Sequence, residues 1–379
     1  MIKVIVVGKL STRVPGTTEP DRNATEFPDI IHVLTLFSTP LLPLEGPQGG
    51  NLTATVLIRA RQGLIFQYTW MLSESVYEGD RTMKYQNRLQ QLFACCLLLA
   101  VSVPAHSAQE YMVDNTWAQL PEGKVWSGNT SWITADGQGN VIVLERSRPY
   151  FWMFNRDGSF VKSWDADIEL GSAHSVLVDS HDFYWVTDSA RHVVHKFSPD
   201  GKLVMTLGSL DEAGDNSSHE LFNQPNHVFI ADNEDIYVSD GYVNSRVVHF
   251  TPEGEFIRII AGEKGTGPGQ FQAVHGVALD SNGRIIINDS ENFRVQVFNA
   301  DGTFAEIWDV RSRGGIEVRD DDRFYISDVN AGTISIVKDG EVLEVYEAPR
   351  AHGLGVDTDG TIYVSGASRN TVMKIVKPQ

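Results

Sequence analysis

Four histidines stand in one register of a repeated unit, and three of them fall in alternate copies. The unit is marked by a short apolar run ending in aspartate, at Asp136, Asp179, Asp232, Asp280, Asp320 and Asp357. Five residues before each aspartate stand Ser131, His174, His227, His275, Gly315 and His352 in turn. Six such units closed into a ring would set the second, fourth and sixth copies about 120° apart. His174, His275 and His352 would then meet on the axis, although they lie far apart in the chain. Three neutral imidazoles converging on one point are a ligand set for zinc, and a fourth position left open is what a catalytic zinc requires. For any single histidine, lining a water-filled channel is the plainer account; three in alternation favour the metal. His227 is the fourth in register, and substrate contact, proton carrier, further ligand and channel lining all remain open to it.

A second register follows the next strand of each unit: Glu145-Arg146, Asp188-Ser189, Asp240-Gly241-Tyr242, Asp289-Ser290-Glu291, Asp328-Val329 and Gly366-Ala367. Arg146 could hold a substrate carboxylate or carbonyl, or simply pair with a turn carboxylate. Tyr242, a phenol near a cation and a metal, would have a lowered pKa and could act as general base; the alternative is an aromatic covering a blade edge. The repeated acids are most simply turn residues that bond their own backbone. Trp132, beside Ser131, is a candidate pocket wall. There is no glycine-rich phosphate loop between strand and helix, and no nucleophile elbow.

The elements that must position these residues are short strands. From about residue 129 the pattern recurs roughly every 40 to 55 residues, a period typical of propellers. Each copy reads as an apolar strand, a polar turn, a β-branched or aromatic strand, and further strands split by a hairpin. Gly158, Gly201, Gly254, Gly302 and Gly340 each follow an acidic residue at that hairpin, as a tight turn requires. The expected fold is all-β, a six-bladed β-propeller over residues 109–379. The stretch around Tyr111–Trp117 can supply the outer strand of the sixth blade, which leaves no sheet edge open.

The start of the chain is different. Lys84 and Arg88, the apolar run Leu92–Val103 and the small residues ending at Ala108 have the three parts of a secretory signal, so 83–108 is expected to be a signal peptide. Residues 1–82 neither repeat nor resemble the rest and are expected to be an upstream extension outside the functional protein. Both cysteines, Cys95 and Cys96, fall inside the signal, which leaves the exported part without disulfides or thiolate chemistry. A formal net charge of −18 argues against nucleic acid or an anionic membrane as partner. A secreted or periplasmic monomer acting on a small-molecule or peptide substrate is the expectation.

The segments "YWVTDSARHVVHKF", "FNQPNHVFI", "IYVSDGYVNSRVVHF", "GPGQFQAVHGVALD", "NDSENFRVQVF" and "AHGLGVDTDGTIYVSGASRNTVMKI" resemble the NHL-type propeller of the peptidyl-alpha-hydroxyglycine alpha-amidating lyases. The resemblance spans blades two to six. It implies zinc on His174, His275 and His352, an essential arginine at Arg146, a tyrosine base at Tyr242 and a substrate arginine at Arg294. It also implies a structural calcium held by the backbone carbonyls of Ile133 and Val176 and by a carboxylate, whose position is Gly353 here. Ala173, Val274 and Ala351 replace the prolines before the zinc histidines, Arg350 replaces a methionine, and His227 replaces an aspartate. The implied reaction is zinc-dependent cleavage of a carbinolamide to an amide and glyoxylate. The rival expectations are a zinc hydrolase on the same scaffold and a noncatalytic propeller that binds a protein or glycan.

Overall fold

In a computed structural model of the protein, the described residues are 111–376 except 128, 320 and 367–370, together with three strands nearer the start. Those strands, Thr35–Phe37, Leu52–Arg59 and Ile65–Leu72, form an antiparallel sheet within a separate unit that ends at Ala105. The expected signal over 83–108 lies outside the described residues.

The rest is a six-bladed propeller of four-stranded antiparallel sheets. Blades one to five are each continuous in sequence. Their first strands are Thr130–Ala135, Ala173–Val178, His227–Ile230, Val274–Leu279 and Ile316–Val318. Blade six takes three strands from the end of the chain, Ala351–Val356, Ile362–Gly366 and Val372–Val376, and its outer strand, Met112–Asp114, from the beginning. Closure happens where the sequence suggested. Trp117, just past the closing strand, packs on Phe154 of blade one and Tyr363 of blade six, so one buried indole fastens the two ends of the ring.

Each first strand touches the first strand of the next blade all the way round, which puts these six strands on the axis. Their apolar residues, such as Ile133, Val176, Val228, Val277, Ile316 and Leu354, are at most 2% exposed and pack between neighbouring blades. Burying apolar side chains on both faces of a sheet is what makes the stacked blades cohere. The hairpin glycines Gly158, Gly201, Gly254, Gly302 and Gly340 all have φ between +78° and +88°, the left-handed region that glycine reaches without a Cβ penalty. The acids at the ends of the second strands do more than brace their own turns. Asp188, Asp240 and Asp289 accept from the backbone N–H of Ser172, Asn223 and Gln272, and Glu145 from that of Ser127, so each clamps the segment leading into its blade's first strand.

Candidate metal centre

The site lies where the first strands begin. In blade four, Val274 pairs with Asp289 and Gly276 with Asn288, which leaves His275 as the extra residue of a β-bulge. His352 is the extra residue in blade six, between Ala351 and Gly353, and His174 lies in the shifted segment of blade two. A bulge re-aims one side chain without ending the strand. Here it turns three imidazoles toward the axis, where their donor atoms all lie within 4.8 Å of one another. Their ring centroids form a nearly equilateral triangle of 5.0, 5.0 and 5.2 Å, each ring steeply inclined to the others.

Each imidazole is oriented by the following blade. Nδ1 of His174 donates to the carbonyl of Asn226 at 2.6 Å, that of His275 to Gly314 at 3.0 Å and that of His352 to Ser131 at 3.2 Å. A carbonyl can only accept, so Nδ1 carries the proton and Nε2 is left as a lone pair. Burial holds His174 and His275 well below the usual imidazole range and brings His352 down to about 4, with the neighbouring imidazoles adding to the effect for His174 and His275. Three neutral, buried, pre-oriented Nε2 atoms make a donor set that fits a borderline divalent ion such as zinc.

Tyr242 covers the open side. Its hydroxyl is 2.6 Å from Nε2 of His174 and 3.2 Å from Nε2 of His275. Gly241 makes this possible, because a Cβ there would stand 1.8 Å from the carbonyl oxygen of Val274 in the next blade. The expected lowering of the phenol pKa is not what the protein residues produce. Tyr242 is 40% exposed as a whole, but burial of its hydroxyl against the histidines pushes the phenol up to about 12, while Arg146 and Arg313 pull the other way. Arg146 is held by Ser131 Oγ at 3.2 Å and Ser172 Oγ at 3.3 Å, with no carboxylate partner among the described contacts. Arg313 was not singled out in the sequence because it belongs to no repeat register. It pairs with Glu291 at 2.7 Å and lies over Phe293, and its charge acts on both His275 and Tyr242.

Arg294 and His227 also stand differently from expectation. Arg294 spends its donors on Asp289 and on the carbonyls of Thr266, Gly267 and Gln270, so it braces a loop instead of presenting a free fork. His227 is not in register with the other three. It pairs with Ser239 in regular register, as Gly276 does with Asn288, so the counterpart of His275 in blade three is Asn226. The slip is visible at the other end of the strand. The N–H of Asp280 meets the carbonyl of Arg284, whereas Ala231 and Arg319 make this turn contact in blades three and five. Counting back a constant five residues from the aspartate therefore lands one place too deep in those blades. His227 lies in the layer below the cluster, where its Nδ1 accepts from the N–H of Val277 at 3.4 Å.

Calcium does not fit. It needs six to eight oxygen ligands. The position that should carry the carboxylate is Gly353, where even a Cβ would stand 2.8 Å from Cδ2 of Trp132.

The NHL repeat family model matches residues 271–298, within blade four, which together with the ring defines an NHL-repeat β-propeller. A probable peptidyl-alpha-hydroxyglycine alpha-amidating lyase of Caenorhabditis elegans is 31% identical over 65% of this chain and 82% of its own length. The chain belongs to that lyase family. Human NHL repeat-containing protein 3 is 27% identical over 70% of this chain and 84% of its own length. Rat peptidylglycine alpha-amidating monooxygenase is 31% identical over 65% of this chain, which spans only 30% of that larger protein. Among solved structures, a Xanthomonas campestris gluconolactonase covers 73% of this chain and 94% of itself at TM-score 0.55 and 13% identity. A streptogramin B lyase covers 72% and 99% at TM-score 0.53 and 12% identity. These two share the fold. No helix among the described residues is long and apolar enough to cross a membrane.

Proposed function

We propose that the protein is a zinc-dependent carbon–nitrogen lyase that cleaves a peptidyl-alpha-hydroxyglycine-like carbinolamide to an amide and glyoxylate. The activity resides in residues 109–379, with 83–108 acting as an export signal and 1–82 taking no part. The observation that carries this reading is the convergence of three neutral histidine nitrogens under the Tyr242 hydroxyl, with Arg146 alongside.

His174, His275 and His352 would hold the ion through Nε2. Zinc there supplies a concentrated positive charge that acidifies an adjacent hydroxyl and offsets the burial that keeps Tyr242 protonated. Arg146, already oriented by two serines, binds the substrate carboxylate with its remaining donors. Arg313, paired with Glu291, adds a second positive charge that acts on Tyr242. With its own proton released to solvent under the pull of the ion and of Arg146 and Arg313, Tyr242 acts as a phenolate whose oxygen accepts the proton of the substrate α-hydroxyl. As the C–O bond becomes a carbonyl, the C–N bond breaks, its electron pair goes to nitrogen, and a proton returned from Tyr242 completes the amide. Atoms and charges balance without a redox partner, so nothing beyond substrate and the bound ion is needed.

The test uses purified protein loaded with zinc and a short peptide ending in alpha-hydroxyglycine, with released glyoxylate as the readout. Stoichiometric amide and glyoxylate are expected. A protein that carries one metal per chain yet releases none would keep the centre and sink the substrate. A protein that binds no metal would favour the noncatalytic binding propeller.

A further inference from the structure

One residue deeper than the bulges, a second ring of side chains surrounds the axis: Trp132, Ser175, His227, Gly276, Gly315 and Gly353. Trp132 is the one large apolar member, and it is 2% exposed. Its indole lies 5.3 Å from the ring of His227, 5.5 Å from His352, 5.7 Å from His174 and 6.3 Å from His275, centroid to centroid. A single side chain from blade one therefore touches imidazoles from blades two, three, four and six. The small residues in the ring make room for it. A Cβ at Gly315 would stand 3.2 Å from Cζ2 of the indole, and one at Gly353 2.8 Å from Cδ2. Tyr242 covers the same cluster from the other side, which leaves the histidine nitrogens between a phenol above and an indole below.

We propose that Trp132 is the floor of the metal centre: a positioning residue that closes the channel under His174, His275 and His352 and restricts access to the ion to the Tyr242 side. The indole occupies the volume in which a calcium carboxylate would stand, so the centre is built without calcium. This rests on reading the three histidines as metal ligands. The physical argument is that an apolar wall beside a metal keeps out water, which would otherwise add ligands, and stops the imidazoles from rotating. Contact with all three ligand rings from one rigid plane suits that role, whereas packing alone would not need the indole to face every ligand.

The experiment loads the full chain with Co2+ and compares wild type with Trp132→Phe, Trp132→Ala and Trp152→Ala. Trp152 is equally buried in blade one, but its aromatic neighbours are Trp126 and Phe160, not the histidines. Affinity is read by chelator competition, coordination by the visible cobalt bands, and stability by thermal unfolding. Wild type binding about one Co2+ with the intense bands of a low-coordinate site establishes the underlying reading, and its failure to bind sinks that reading first. Given binding, Trp132→Ala should lose affinity roughly ten- to hundred-fold and show the weaker bands of added water ligands. Trp132→Phe should keep most of both, and Trp152→Ala should lose stability without losing affinity. Should Trp132→Ala not fold, Trp132→Leu is read in its place with the same expectation. Wild-type affinity and spectrum in the Ala or Leu variant would overturn the proposal, as would an equal loss in Trp152→Ala. Calcium or EGTA should leave the wild-type unfolding temperature unchanged; a rise with calcium would overturn the calcium-free floor.

Discussion

Blades two, four and six differ from blades one, three and five in what their first strands offer the axis. The even blades present an imidazole at the bulge, and the odd blades present the carbonyl of Ser131, Asn226 or Gly314 to the imidazole of the blade before. A sixfold repeat thus becomes threefold chemistry, with every second blade serving as the orienting shell of its neighbour. Ligands and their orienters come from different sheets, so the centre exists only in the closed ring. The odd blades also carry the two residues that cap the cluster, Trp132 from blade one and Tyr242 from blade three.

The largest way to break this comparison is to remove an even-blade ligand. His275→Ala should abolish stoichiometric metal binding and lower kcat/KM by about a thousandfold or more, read by metal analysis and glyoxylate release. Tyr242→Phe, on an odd blade, should separate the two properties: metal stays bound while kcat falls by roughly a hundredfold or more. Undiminished turnover in that variant would remove Tyr242 from the proton path. His227→Gln sharpens the contrast from the other side. As an odd-blade residue below the cluster it should leave one metal per chain, and loss of metal would return His227 to the ligand set.

The smallest expected effect is in pH. His174, His275 and His352 have folded pKa values depressed below the ordinary 6.5. The stability of metal-free protein that depends on them is full above about pH 6.5 and is lost as the pH falls toward their folded values. Glu317, on the first strand of blade five, is lifted by burial from 4.5 to about 8 against the pull of Arg319. The fold keeps a proton that the unfolded chain has already released, so this group costs stability as the pH rises from about 4.5 through about 8. Glu317→Gln should remove the fall in unfolding temperature between about pH 4.5 and about 8 and leave the profile below about pH 4.5 alone. An unchanged fall over that window would mean that Glu317 ionises freely in the fold.

Much of this was legible in the chain. The hairpin glycines, the apolar first strands and the closing segment before Trp117 all stand where the repeat put them. The three clustered histidines were recognisable because each of their blades keeps the same five-residue gap to its aspartate. His227 passed the same count and was misplaced, because blade three makes the turn contact at Ala231, one residue before Asp232. Arg294 carries a substrate role only through the resemblance; its donors go to Asp289 and to main-chain carbonyls of a loop more than twenty residues away, which no motif records. Trp132 could be suspected as a wall, but not as a contact of four histidines.

The amino-acid sequence by itself determined the strands, their number per unit, the six units and the kinds of side chain at the head of each first strand. These follow from local preferences: alternating burial, β-branched residues and turns that need a left-handed residue. Only the tertiary structure decided which of those side chains face the axis. Direction along a strand alternates with every residue, and a bulge shifts it by one without altering composition. Where that shift falls is set by hydrogen bonds to the second strand and by the neighbouring blade, so the difference between His275 in the cluster and His227 beneath it belongs to the closed ring.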